Sequence, residues 1–182
     1  MGSTGNSGFN NPHYKFVLKL MEDNIRPDKN ESLIVIDKSG DILIDKSDNK
    51  KDQVSITEDE KKLMLGATIT HNHPSGSTFS WQDLKTLEKT MAHEIRAVGS
   101  NGITYSLVSN PGASTNLDFT YAYYAAEHQY KTDVVDKIWF ASSQTQADAD
   151  KCNNMLESYR SKWLKDNSKK YGYTYTERKV KK

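Results

Sequence analysis

Two histidines, a serine and an aspartate fall in one short window of the chain, Thr70-His71-Asn72-His73-Pro74-Ser75-Gly76 followed by Ser80-Trp81-Gln82-Asp83. Imidazoles two positions apart on an extended segment lie on the same side of the chain, because strand side chains alternate faces. Both can then grip one metal ion. A carboxylate from the next element makes three protein ligands with a fourth position open to water, the pattern of a catalytic rather than a structural zinc. The single cysteine, Cys152, excludes cysteine-rich zinc chemistry and an internal disulfide, so any metal here needs histidine and carboxylate ligands. Each piece also has a plainer use. His-Asn-His fits a turn, and Ser80 with Asp83 fits an N-cap serine and an acidic third residue of a helix. Their combination in one window serves a single metal geometry.

The elements that must position these groups follow from patterning. Residues 67–71 read as a buried strand that delivers both histidines at its exit, and Pro74-Ser75-Gly76 turns the chain. Residues 80–93 read as a helix with Trp81, Leu84, Leu87 and Met91 on one stripe. Residues 94–98 and 103–108 follow as strands, joined at Asn101-Gly102 by a type I′ turn. Upstream, Phe16, Val17, Leu20 and Met21 repeat at helical spacing, which predicts a packing helix over 14–21 that ends before Pro27. Residues 31–36 and 42–44 form a hairpin about Ser39-Gly40-Asp41, and 45–52 is a polar loop. Thr57-Glu58-Asp59-Glu60 is a capped helix start carrying Leu63 and Met64, ended or bent by Gly66.

Beyond Pro111-Gly112 the pattern becomes helical and aromatic, with Phe119, Tyr123 and Tyr124, then Val135, Ile138 and Trp139. A long helix follows on the stripe Cys152, Met155, Leu156, Tyr159 and Trp163, where Cys152 reads as a packing residue. Tyr171, Tyr173 and Tyr175 alternate as a short strand or an extended tail. The expected fold is α/β (α+β): a mixed sheet flanked by helices with a helical C-terminal extension. The expected division is a flexible leader or cloning remnant over 1–12, a main domain over 13–112 and the extension over 113–182.

Across the 182 residues, 25 basic side chains nearly cancel 24 acidic ones for a net charge of +1, so no global field draws the chain to nucleic acid or membrane. No apolar run is long enough to span a bilayer, and the N-terminus lacks the regions of a secretory signal. A cytoplasmic protein is expected. His93 and His128 read as structural, and Arg178-Lys179-Val180-Lys181-Lys182 as a solvated tail.

The stretch from His71 through Gly76, with Ser80 and Asp83, resembles the JAMM motif of JAB/MPN metalloproteases: His-x-His-Pro, a spacer, then Ser-x-x-Asp. The likeness covers roughly residues 28–110. Ser75-Gly76, Glu94-Ile95-Arg96-Ala97-Val98 and Tyr105-Ser106-Leu107 are most similar to prokaryotic and phage-associated JAB domains. His-Asn-His-Pro-Ser-Gly is also similar to the RadC group, whose later Asp-His pair is missing here. The resemblance implies a JAB/MPN-like, cytidine-deaminase-like fold in which His71, His73 and Asp83 bind Zn2+, Ser80 stabilises the oxyanion, and an upstream glutamate is the base. Glu31, at the head of a β-rich run, is the expected base, with Glu22 the nearest competitor. The implied activity is that of a zinc metallopeptidase or isopeptidase of phage or mobile-element origin. Its substrate would be a protein or peptide, with ubiquitin-like and phage structural proteins both in view. A non-catalytic scaffold and a RadC-like nucleic-acid-associated protein are the competing classes, and neither a membrane nor nucleic acid is the expected partner.

Overall fold

The protein is described by a computed structural model covering residues 8–51 and 53–180. Six strands form one mixed sheet flanked by helices, in the spatial order β2-β1-β3-β4-β5-β6. The strands are β1 (Ser32–Ile36), β2 (Ile42–Ser47), β3 (Thr68–His73), β4 (Glu94–Gly99), β5 (Ile103–Ser109) and β6 (Tyr173–Lys179). Only β3 and β4 run parallel, with Thr68 opposite Glu94 and His73 opposite Gly99. A parallel pair needs a crossover, and the helix in it is α3 (Trp81–Thr90), which carries Asp83. The histidines and the aspartate are thus set by one strand–helix–strand unit.

Helix α1 (Pro12–Ile25) covers one face of the sheet. Its end before Pro27 agrees with the sequence, but it runs beyond the expected 14–21 at both ends and its buried face differs. Tyr14, Leu18, Glu22 and Ile25 face inward, whereas Phe16 is 65% and Leu20 44% exposed. The reason is polar: Glu22 is carried inward to pair with Arg96, whose Nε donates at 2.5 Å. The leader reading is corrected at Phe9, which stacks on His93 at 3.7 Å between ring centroids and packs edge-on against Tyr14. Residues 1–7 lie outside the described residues.

The opposite face carries the larger core. Leu33, Val35 and Ile69 from the central strands meet Leu84 and Leu87 of α3 there, together with Phe119, Tyr123 and Leu164 from further along the chain. Helices α4 (Asp118–Tyr130) and α6 (Gln146–Asn167) deliver those last three. A five-residue π-helical stretch and a short α5 (Asp136–Ala141) join the two helices. Cys152 is buried against Val135 of that connection, as a packing residue should be. Helix α4 begins at Leu117 without a side-chain cap of its own. Glu88 of α3 supplies one by accepting from Thr120 N at 2.8 Å and its hydroxyl at 2.5 Å, satisfying a donor that the first turn leaves open. The segment after residue 113 also closes the sheet, since β6 pairs along the whole of β5 and Tyr173 stacks on Phe119 at 4.9 Å. The alternation of Tyr173 and Tyr175 is therefore a strand.

Several local expectations need correction. Strand β2 runs to Ser47, so 45–47 is not loop. Short α2 (Glu58–Leu63) has the expected Thr57–Glu60 capping box, but Leu63 is 46% exposed and only Met64 just beyond it is buried. Met91 lies outside α3 in the left-handed region, 54% exposed, because the helix stops at Thr90. The β4–β5 connection is not a type I′ turn. Gly102 is its one residue at positive φ, +78°, and its N–H donates to the Gly99 carbonyl at 3.1 Å. That is a three-residue loop with glycine in the left-handed position, which leaves Asn101 in ordinary backbone space.

Candidate metal centre

Strand β3 alternates, so Thr68, Thr70 and Asn72 point to the α1 side and Ile69, His71 and His73 to the other. Both histidines lie within the strand rather than just past its end. A turn then folds the chain back, with Gly76 N donating to the His73 carbonyl at 2.8 Å, Pro74 at the second position and Gly76 at φ +75°. Asn101 locks this turn to the β4–β5 loop: its amide donates to the Gly76 carbonyl at 2.7 Å and its Oδ1 accepts from Ile103 N at 2.9 Å. A Cβ on Gly76 would come within 2.9 Å of that amide, so glycine is needed for space as well as for φ.

The two imidazoles face each other, Nε2 to Nε2 at 2.8 Å. Each has a backbone bond behind it: His73 Nδ1 with the Ser77 carbonyl at 2.9 Å, and His71 with the backbone of Arg96. Asp83 completes the cluster, with Oδ1 at 3.2 Å from His71 Nε2 and Oδ2 at 3.7 Å from His73 Nε2. Helix α3 begins at a capping box in which Asp83 Oδ2 accepts from Ser80 N at 2.7 Å and Ser80 Oγ at 2.8 Å. The plain helix-cap reading and the histidine contact thus both hold, on the same carboxylate. In this arrangement the Ser80 hydroxyl donates to Asp83.

Glu31 stands just before β1. Its side chain joins the same group, with its carboxylate and the ring nitrogens of His71 and His73 all within 4.8 Å of one another. The Asn72 side chain fixes the segment that carries it: Oδ1 accepts from Ser32 N at 2.7 Å, and the amide donates to the carbonyls of Asp28 and Asn30 at 3.1 Å each. The residue between the two histidines therefore points away from them and holds the glutamate's strand in place.

All five expected residues, Glu31, His71, His73, Ser80 and Asp83, line one cleft of about 490 Å³. Glu22 does not, being on the far face of the sheet in a pair with Arg96. Glu58 and Glu60 belong to the start of α2. Sequence reasoning missed what holds the loop ahead of α3. Thr78 N donates to Glu157 of α6 at 2.9 Å, the Thr78 hydroxyl meets Tyr175 OH of β6 at 2.9 Å, and Tyr123 OH of α4 donates to the Phe79 carbonyl at 2.7 Å. Nothing in local spacing marks these residues, because each acts across a long separation in the chain.

The charges are strongly coupled. Burial works against a charged imidazole at His71, but the Asp83 carboxylate beside it, Glu31 and the Arg96 backbone together outweigh burial and hold that pKa above the ordinary histidine value. At His73, burial and the neighbouring His71 push it down. Burial also pushes the Asp83 carboxyl up, yet the two imidazoles and the Ser80 N–H more than offset this and hold it far below the usual carboxylate range.

The donor set fits a zinc ion. The ring nitrogens of His71 and His73, each imidazole tied to backbone, lie within 4.8 Å of a Glu31 carboxylate oxygen, and Asp83 turns one oxygen to each ring, so the two histidines have two carboxylates at hand to complete a ligand set. Backbone bonds of that kind orient ligating histidines. Nitrogens bound to one tetrahedral zinc at about 2.05 Å stand roughly 3.3 Å apart, so the pair has to open by about half an ångström to hold it. No family model, curated protein or solved structure matches the chain.

Proposed function

We propose that the cleft is the centre of a zinc-dependent hydrolase of JAB/MPN type that cleaves a peptide or isopeptide bond. One observation carries the reading: Glu31, His71 and His73 bring their ligand atoms within 4.8 Å of one another in an open cleft where Asp83 also faces both imidazoles. His71, His73 and Asp83 would hold the ion. Zinc, when held there, supplies Lewis acidity and makes water a nucleophile near neutral pH. Glu31 takes the proton of the attacking water and returns it to the leaving amine. Ser80, once its hydroxyl turns from Asp83, donates where negative charge develops on the carbonyl oxygen, the kind of contact that is worth about 3–4 kcal/mol when removed elsewhere. The substrate in this reading is a protein or peptide, ubiquitin-like or a phage structural protein.

A non-catalytic scaffold has one observation in its favour, since the Ser80–Asp83 box is complete as a helix cap without a metal. A peptide and isopeptide cleavage screen of wild type against Glu31→Ala separates the two. Zinc-dependent cleavage by wild type that Glu31→Ala loses supports the hydrolase. Cleavage that survives the change moves the base elsewhere, and none in either protein favours the scaffold.

A further inference from the structure

We infer that Glu157 is a positioning residue for His73, acting through the peptide bond between Ser77 and Thr78. The inference rests on the reading of His73 as a metal ligand. The Ser77 carbonyl pairs with His73 Nδ1 at 2.9 Å, and the N–H of the same peptide unit, on Thr78, donates to Glu157 Oε2 at 2.9 Å. A single planar group therefore joins a carboxylate on its N–H side to an imidazole on its carbonyl side. A charge-assisted bond to the N–H polarises the unit and makes its carbonyl a stronger acceptor. That favours the proton on Nδ1 and leaves the Nε2 lone pair facing His71 and the cleft, which is the tautomer a metal takes.

The carboxylate is itself held. Arg160, one turn further along α6, donates through Nη1 to the other oxygen of Glu157 and through Nη2 to Glu127 of α4. Thr78 is 2% exposed, and the bond between its hydroxyl and Tyr175 OH keeps the peptide unit from swinging. The region after residue 113 thereby reaches His73 through the Ser77–Thr78 peptide unit, a role that covering the sheet does not require.

The ring nitrogens of His73 report this directly. In metal-free protein labelled with nitrogen-15, wild type should show the Nδ1–H tautomer, and Glu157→Ala a mixture of the two. Titration with Co2+ alone should show binding weakened about tenfold in Glu157→Ala. Glu157→Gln, which keeps an acceptor for Thr78 N–H but not the charge, should fall between. If Glu157→Ala melts lower yet keeps the wild-type tautomer and Co2+ affinity, Glu157 is only a tether between α6 and the loop, and the inference is wrong. Should Glu157→Ala not fold, Glu157→Gln decides on the same readouts: a partial shift supports the inference and wild-type behaviour overturns it. The nitrogen spectra need no metal, so wild-type protein that binds no Co2+ would sink the metal-centre reading while the tautomers still judge this one.

Discussion

Strand β3 buries polar groups on both of its faces, and the two clusters are built on different logic. Toward α1, Arg96 lies between two carboxylates: Nε and Nη2 donate to Glu22 at 2.5 and 3.2 Å, and Nη1 donates to Glu94 at 2.7 Å. Ser106 and Thr70 hydroxyls add further donors, at 2.5 Å to Glu94 and 3.3 Å to Glu22. Donors meet acceptors, and the network is closed. Toward the cleft, two imidazole nitrogens and the carboxylates of Asp83 and Glu31 converge on one another, so the groups brought together are chiefly acceptors. A buried cluster rich in acceptors is costly unless a positive charge joins it. The first network is explained by holding α1 to the sheet; in the second a protonated His71 beside Asp83 supplies the positive charge, the place a metal ion takes in the proposed reading. Arg96 touches both, with its side chain in one and its backbone against His71 of the other.

The contrast can be broken most severely at Arg96. Arg96→Ala leaves two buried carboxylates without their partner and should cost about 3–5 kcal/mol of stability, read by denaturant unfolding. Zinc affinity of the folded fraction should change little, because the backbone at that position remains. The reverse is expected at the other cluster. His73→Ala should lower zinc affinity by more than the roughly hundredfold that losing an outer hydrogen-bond partner costs, while the chain still folds; calorimetric titration measures both halves. A loss of zinc in Arg96→Ala as large as in His73→Ala would remove the distinction.

Asn72 sharpens it. Asn72→Ala strips the buried Ser32 N–H and two carbonyls of their partners and should cost about 1–3 kcal/mol. It should also lower any cleavage rate more than it lowers zinc affinity, because it frees the segment of Glu31 rather than the histidines. The smallest effect is expected at Cys152, buried in neither cluster. Cys152→Ala should change stability by about 1 kcal/mol, with zinc content and activity as in wild type.

How much of this was legible in the sequence follows from range. The histidine window, the Ser80 cap and the strand–helix–strand around them were readable because local spacing decides them. The glutamate was readable only as a position ahead of a β-rich run. Elements whose faces are chosen by distant partners were not. The inward turn of Glu22 on α1 depends on Arg96, and Met91 is exposed because α3 stops one residue short of it. The clamp of Glu157, Tyr123 and Tyr175 on residues 78–79 depends on three elements that lie beyond residue 113. The aromatic content of that region marked a core by default, and which of its residues hold the loop beside the cleft is set by the fold.

In the proposed reading the cleft face of β3 is a zinc site, which the metal content of purified protein probes without intermediaries. Elemental analysis of wild type and His71→Ala, each loaded with zinc and then dialysed, should find one zinc per chain in wild type and none retained in the variant. Wild-type protein without stoichiometric zinc, or a variant that holds as much as wild type, would mean that these histidines hold no zinc.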